Sequence, residues 1–267
     1  DFEGRVIKFN LKSEAIQALR EVASSESATF YMVLAAVFNI LLAKLSGLED
    51  IVIGTASAGR RHADLENMIG MFIDTLALRN YPGGEKSFLM FLREVKKTTL
   101  EAFENQEYQF EELIEELSFQ RDVSRNPLFD VMFVLQNMRI ADIYNSSLKI
   151  KPYSYVRATS KFDLVLIADE MGESLFLEVE YCTRLFKEET IARFIAYFKK
   201  IISFVTESPG TKIADIEIIS AEEKREILYE FNDPEPAFPV DKTIPGLFEE
   251  QVSETPDHIA LTAWSTG

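Results

Sequence analysis

Apolar positions along the chain change period several times, and each change marks an element. Residues 5–10 alternate weakly and predict a strand, after which Ser13 is placed to cap a helix with Ile16, Leu19 and Val22 on one stripe. From Thr29 to Leu45 the chain is apolar nearly all round, which predicts a buried helix ended by Ser46-Gly47. Ile51 to Ile53 and Met71 to Leu78 are β-branched or apolar runs that predict buried strands, with a long polar loop between them. Ser87 opens an amphipathic helix with Phe88, Phe91, Leu92, Val95 and Leu100 inward, ending near Asn105, and a short helix follows over 111–117.

Strand patterns return at Asp130–Leu135 and Leu148–Val156. Phe162–Asp169 and Leu175–Cys182 alternate around Met171-Gly-Glu-Ser174, a hairpin signature. A helix beginning at Lys187 and Glu188 carries Ile191, Phe194, Ile195, Phe198, Ile201, Ile202 and Val205 at 3.6-residue spacing, and Pro209-Gly210 stops it. Beyond Ala214 the pattern weakens into a short helix and a stiff, proline-rich stretch over 232–239. Helices and strands are interspersed without a βαβ rhythm, which predicts an α+β fold: a mixed sheet covered by helices.

Composition narrows the function classes. A chain of 267 residues that is 47% hydrophobic buries a sizeable core, and no run reaches the ~18 apolar residues a membrane span needs. The net charge of -16 repels phosphate backbones and makes nucleic acid an unfavourable partner. A single cysteine, Cys182, excludes an internal disulfide and suits a cytoplasmic protein. With only His62 and His258 besides, no His/Cys metal cluster is credible by spacing. The chain starts without Met, so it is expected to begin inside something longer.

The loop after Ile53 carries the densest candidate chemistry. Gly54-Thr-Ala-Ser-Ala-Gly59 follows a strand with two glycines at phosphate-loop spacing, but Arg60 and Arg61 stand where that loop needs Lys and Ser or Thr. A nucleotide-binding reading is therefore disfavoured. IGTASAGR followed by IGMFIDTLALR instead resembles the IGxPxAGR and IGxFxNTLALR signatures of condensation domains of nonribosomal peptide synthetases, with Ala56 for Pro and Asp74 for Asn. NQEYQFE, residues 105–111, is similar to the family's HQDYPFE. Gln106, Tyr108, Phe110 and Glu111 match there, whereas Asn105 stands for His and Gln109 for Pro. Asn105 cannot act as a base, and its simpler reading is a helix C-cap. Residues 121–129 match RDxSRNPLF through Arg121, Asp122, Ser124, Arg125, Asn126, Pro127, Leu128 and Phe129, and KFDLVL at 161–166 also resembles the family. TIPGLFEEQVSETPDHIAL looks like the opening of an adenylation domain.

The resemblance implies one lobe of a two-lobed, chloramphenicol-acetyltransferase-like fold. It divides the chain into a C-terminal condensation lobe at 1–213, the lobe's end and interdomain linker at 214–242, and an incomplete adenylation start at 243–267. The implied reaction is peptide-bond formation between acyl or aminoacyl groups carried on the phosphopantetheine of partner carrier domains, with no cofactor bound directly. The family's HHxxxDG motif lies in the other lobe, and this chain has no adjacent histidines, so no catalytic residue is expected here and the fragment alone is expected to be inactive. The implied partners are upstream and downstream peptidyl carrier domains, the missing N-terminal lobe and the adjacent adenylation domain. Gly54, Ala58, Gly59 and Arg60 form the motif loop expected to cross toward the missing lobe. Arg60 is the residue expected to touch substrate or the phosphopantetheine arm, with a structural salt bridge as its rival role. Asn126 and Asp130 are tunnel-lining candidates, and Arg121, Asp122 and Arg125 are expected to lock their loop by ion pairing. A non-catalytic scaffold that binds carrier domains is the alternative function.

Overall fold

The computed structural model describes residues 2–60, 62–66, 68–117, 126–136, 158–171, 174–232, 242–257 and 259. The chain divides into two compact units, Asp1–Ile218 and Ile219–Gly267. In the first unit, β1 (Gly4–Asn10) is followed by α1 (Ser13–Ser25), α2 (Phe30–Ser46), β2 (Ile51–Ser57), α3 (Ala63–Glu66), β3 (Asp74–Asn80), α4 (Phe88–Glu104), α5 (Phe110–Glu116), β4 (Val131–Gln136), β5 (Leu164–Met171), β6 (Ser174–Cys182) and α6 (Glu188–Glu207). Among the described residues the strands form one six-stranded sheet in the order β1-β6-β5-β4-β2-β3. β4 runs parallel to both β2 and β5, and the other neighbours are antiparallel. The fold is thus α+β with a mixed sheet, as the patterning predicts.

α2 is the centre of the core. Met32 to Leu41 are all buried, which explains why this helix is apolar on every side. Thr29 caps its start by accepting from the Met32 amide at 3.2 Å, and Gly47 ends it at φ 71, a left-handed position that suits glycine. α6 buries the stripe from Ile191 to Val205, and β6 alternates, with Leu175, Leu177, Val179 and Tyr181 inward while Phe176 stays exposed. β5 and β6 close as the expected hairpin, in register down to Met171 opposite Ser174.

Four expectations are corrected. Ser13 does not cap α1: Lys12 occupies the cap position, without a side-chain hydrogen bond. β2 runs four residues past Ile53, to Ser57, because Gly54 to Ser57 pair with Asp74 to Ala77. The strand expected from Met71 begins only at Asp74, leaving Met71 (93% exposed) and Ile73 outside the sheet and in solvent. In α4, Thr99 is buried and Leu100 is exposed; the stripe shifts by one residue at the helix end. The strand expected at 148–156 and the proline-rich stretch at 233–239 lie outside the described residues.

Ile213 and Ile216 are buried in the first unit, where the Ile213 amide donates to the Lys86 carbonyl at 2.9 Å. The second unit holds α7 (Ala221–Arg225), which continues as a π-helical turn over Glu226–Glu230, and α8 (Ile244–Glu254). Thr243 caps α8, with Pro at its first turn. No single helix among the described residues is long and apolar enough to cross a membrane.

Candidate functional site

The sequence segments singled out above meet at one buried ring. Phe129, 4% exposed, stacks on Phe162 with centroids 5.7 Å apart and meets Phe110 at 5.8 Å. On a further side it lies against Gly54: a methyl group there would sit 2.1 Å from Phe129 Cε2. Gly54 is also the one residue of β2 in register with β4, opposite Met132. Glycine is required because the ring occupies the space a side chain needs. The IGTASAGR, NQEYQFE, RNPLF and KFDLVL segments therefore form one packed junction. Sequence reading gave Phe129 no special role; the signal available was an aromatic just after Pro127 at the entry to a strand.

Residues 58–73 form a loop folded on itself. Gly59 takes φ 62, and a Cβ on it would lie 1.7 Å from the Phe72 carbonyl oxygen, so the left-handed turn and the close backbone approach both demand glycine. Ala58 beside it is exposed. Arg60 donates through Nη1 to the carbonyls of Leu65 and Met68, the latter at 2.8 Å, and its guanidinium lies 4.3 Å from the centre of the Phe72 ring. Those contacts make Arg60 the clasp of the loop. α3 is a single helical turn within it, and His62 interacts locally with Asp64 at 3.2 Å. On the loop's return toward β3, Met68, Ile69, Met71 and Ile73 are all exposed. Exposure of four large apolar side chains so close together on one loop is unusual.

The loop entry is tied to the α4–α5 corner. Ser57, buried at the end of β2, donates to Gln106 Oε1 at 2.5 Å. Asn105 is the C-cap of α4, as expected: its Nδ2 and backbone amide both donate to the Glu101 carbonyl, at 2.8 and 3.1 Å. Asn126 Oδ1 accepts from the amides of Leu128 and Phe129 at 3.0 and 3.3 Å, so its side chain shapes the chain leading into β4. The Asp130 carbonyl accepts from the Asp163 amide at 2.9 Å. Asp130 also lines an open groove of about 480 Å³ with Leu45, Ile51, Val52, Leu128 and Phe129; Asn126 does not line it. Asp50, on the same groove, is paired with Arg79 at 2.6 and 2.9 Å; hydrogen bonding from that guanidinium holds its carboxyl below the usual range. Arg61, Arg121, Asp122, Arg125 and His258 lie outside the described residues. Among the described residues no group of three or more His, Cys, Asp or Glu side chains is arranged to hold a metal ion.

The Tyr31 hydroxyl is one of several buried polar atoms without a hydrogen bond of normal geometry. The Tyr31 ring stacks on Phe133 at 5.1 Å. Burial pushes the phenol up to about 12, and Thr55 only partly offsets this.

A mixed sheet wrapped by helices, with these motif segments packed at one junction, defines a chloramphenicol-acetyltransferase-like lobe. The family model described as Condensation domain matches residues 1–228, and the chain belongs to that family. It is similar to gramicidin S synthase 2 of Brevibacillus brevis, 47% identical over 262 residues that make up 97% of this chain and 6% of that protein. It is also similar to bacitracin synthase 3 of Bacillus licheniformis, at 44% identity over 97% of this chain and 4% of that protein. The chain thus spans a small fraction of these relatives. Among solved structures, it superposes on a four-domain nonribosomal peptide synthetase bound to AMP and glycine with a TM-score of 0.76 and 22% identity, covering 83% of this chain and 18% of that one. The condensation domain of the monacolin K polyketide synthase MokA gives a TM-score of 0.69 at 22% identity, covering 79% of this chain and 49% of that one.

Proposed function

We propose that the chain is the C-terminal lobe of a nonribosomal peptide synthetase condensation domain, followed by the linker and first residues of an adenylation domain. In the proposed reaction the α-amine of an acceptor on one phosphopantetheine arm attacks the thioester carbonyl of a donor on another. The new C–N bond forms as the C–S bond breaks, the donor's thiol leaves, and the amine gives up a proton. Such acyl transfer needs a group that positions or deprotonates the amine and donors that stabilise the tetrahedral oxyanion. This chain holds no adjacent histidines and so does not carry the HHxxxDG motif; its part is to supply one wall of the substrate tunnel and surfaces for the carrier domains.

The observation that carries the reading is the exposed apolar return of the 58–73 loop, Met68, Ile69, Met71 and Ile73, held in shape by Arg60 and Gly59. A preshaped apolar surface of this kind suits burial against the other lobe. The loop's partner is thus the missing half of the domain, and Arg60 acts by shaping that surface more than by touching substrate. In the second unit, Ile244, Phe248 and Val252 leave an exposed apolar stripe along α8, consistent with a helix whose covering elements belong to the rest of an adenylation domain.

The test is an amide-formation assay between two carrier-loaded substrates, run with this chain and with a version extended upstream by one lobe of roughly 200 residues. The extended protein is expected to form the dipeptidyl thioester, and this chain alone is expected not to. If the extended protein binds both loaded carriers and forms no amide, the scaffold alternative replaces the enzymatic one.

A further inference from the structure

We infer that Gln106 is the positioning residue of the 58–73 loop, setting the loop's shape from the α4–α5 corner through Ser57. The loop leaves the sheet at Ser57 and returns at Asp74, two residues in register with each other. Ser57 is 3% exposed, so its hydroxyl depends on protein partners. It donates to Gln106 Oε1 at 2.5 Å and accepts from the Gly59 amide at 3.4 Å. Gly59 then makes the left-handed turn that brings the Phe72 carbonyl against it, and Arg60 gathers Leu65, Met68 and Phe72. One carboxamide oxygen therefore orients the hydroxyl on which the first turn of the loop is built.

Gln106 is suited to this because its own backbone is anchored. It follows Asn105, which caps α4 on the Glu101 carbonyl, and the Tyr108 amide donates to the Asn105 carbonyl at 3.0 Å. α4 in turn is pinned by Phe88, Phe91, Leu92 and Val95, all fully buried. The path runs from core to helix end to Gln106 to Ser57 to loop. An oxygen acceptor is what the position needs: Gln106→Glu retains it, and Gln106→Met keeps the shape without it.

Hydrogen exchange on the full 267-residue chain tests this, with Gln106→Met, Gln106→Glu, Ser57→Ala and the Ser57→Ala/Gln106→Met double variant. Amides of residues 59–72 are expected to exchange about tenfold faster in Gln106→Met and in Ser57→Ala, with no further gain in the double variant. Gln106→Glu is expected to restore wild-type protection, and amides of α2 and β5 are expected to keep their rates throughout. Unchanged loop exchange in Gln106→Met overturns the inference. So does equal acceleration in α2, which marks a general loss of stability, or failure of Gln106→Glu to rescue. A kinetic arm rests on the function proposed above: in the two-lobed domain Gln106→Met lowers kcat/KM for carrier-loaded substrates and Gln106→Glu restores it. If the unsubstituted domain forms no amide, that function fails while the exchange result still judges Gln106.

Discussion

Replacing Gly54 with alanine puts a methyl group 2.1 Å from Cε2 of Phe129, 2.4 Å from Cζ and 2.6 Å from Cδ2, all far inside contact distance. The ring has little room to yield, because Phe162 stacks on it and Phe110 meets it at 5.8 Å. Overpacking of this kind costs about 1–3 kcal/mol. Against it stands the backbone gain of removing a glycine from a strand, roughly 0.5–1 kcal/mol. The net is a destabilisation of about 1–2 kcal/mol, or a fall in Tm of about 2–8 °C for a unit of this size. Urea unfolding followed by far-ultraviolet circular dichroism measures it, read as a midpoint shift at constant slope. The double variant Gly54→Ala/Phe129→Leu decides the cause. Leucine removes the aromatic edge, so the alanine penalty is expected to vanish in that background and the two changes to be strongly non-additive. A Gly54→Ala chain as stable as wild type, or a penalty undiminished beside Phe129→Leu, refutes the packing argument.

Three further expectations concern single groups. Gly59→Ala, at φ 62 and with its Cβ directed onto the Phe72 carbonyl, is expected to disorder the 58–73 loop, seen as faster limited proteolysis there with α2 still protected. Arg60→Met removes the clasp on Leu65 and Met68 and is expected to raise cleavage at the loop tip at least several-fold while shifting global stability by less than about 1 kcal/mol. Tyr31→Phe is expected to be neutral or stabilising at pH 7, since the hydroxyl it removes is buried without a hydrogen bond of normal geometry and Thr55 only partly offsets that burial. Because folding raises the phenol to about 12, its neutral form is favoured in the folded state. Wild type therefore holds its stability below pH 10 and loses on the order of 2 kcal/mol relative to Tyr31→Phe as pH rises toward 12; urea titrations across that range check the sign.

Helix positions were legible from sequence because burial repeats at helical spacing: α2 and α6 fall within a residue of the expected bounds, and Ser87 opens α4 as read, although Ser13 does not cap α1. Strand ends were less legible, since pairing partners rather than composition set them. Ser57 belongs to β2 because Asp74 pairs with it, while apolar Met71 and Ile73 sit outside the sheet on an exposed loop. The motif segments could be picked out one by one, yet nothing local says that Phe129 joins them or that Ser57 meets Gln106, 49 residues away. Arg60 carried two expected roles, contact with substrate or the phosphopantetheine arm and a structural salt bridge; that its Nη1 serves the Leu65 and Met68 carbonyls needs loop geometry to see.

Methionine oxidation reports on whether, as proposed, the 58–73 loop is buried against the other lobe of a condensation domain. Met68 and Met71 are exposed in this chain and Met32 is 4% exposed, which gives a probe and an internal control. Oxidation rates at the three sulfurs are compared by mass spectrometry between this chain and the upstream-extended protein. Fast oxidation of Met68 and Met71 is expected in this chain, with strong protection of both in the extended protein and slow oxidation of Met32 in each. Equal rates at Met68 and Met71 in the two proteins contradict the proposed burial.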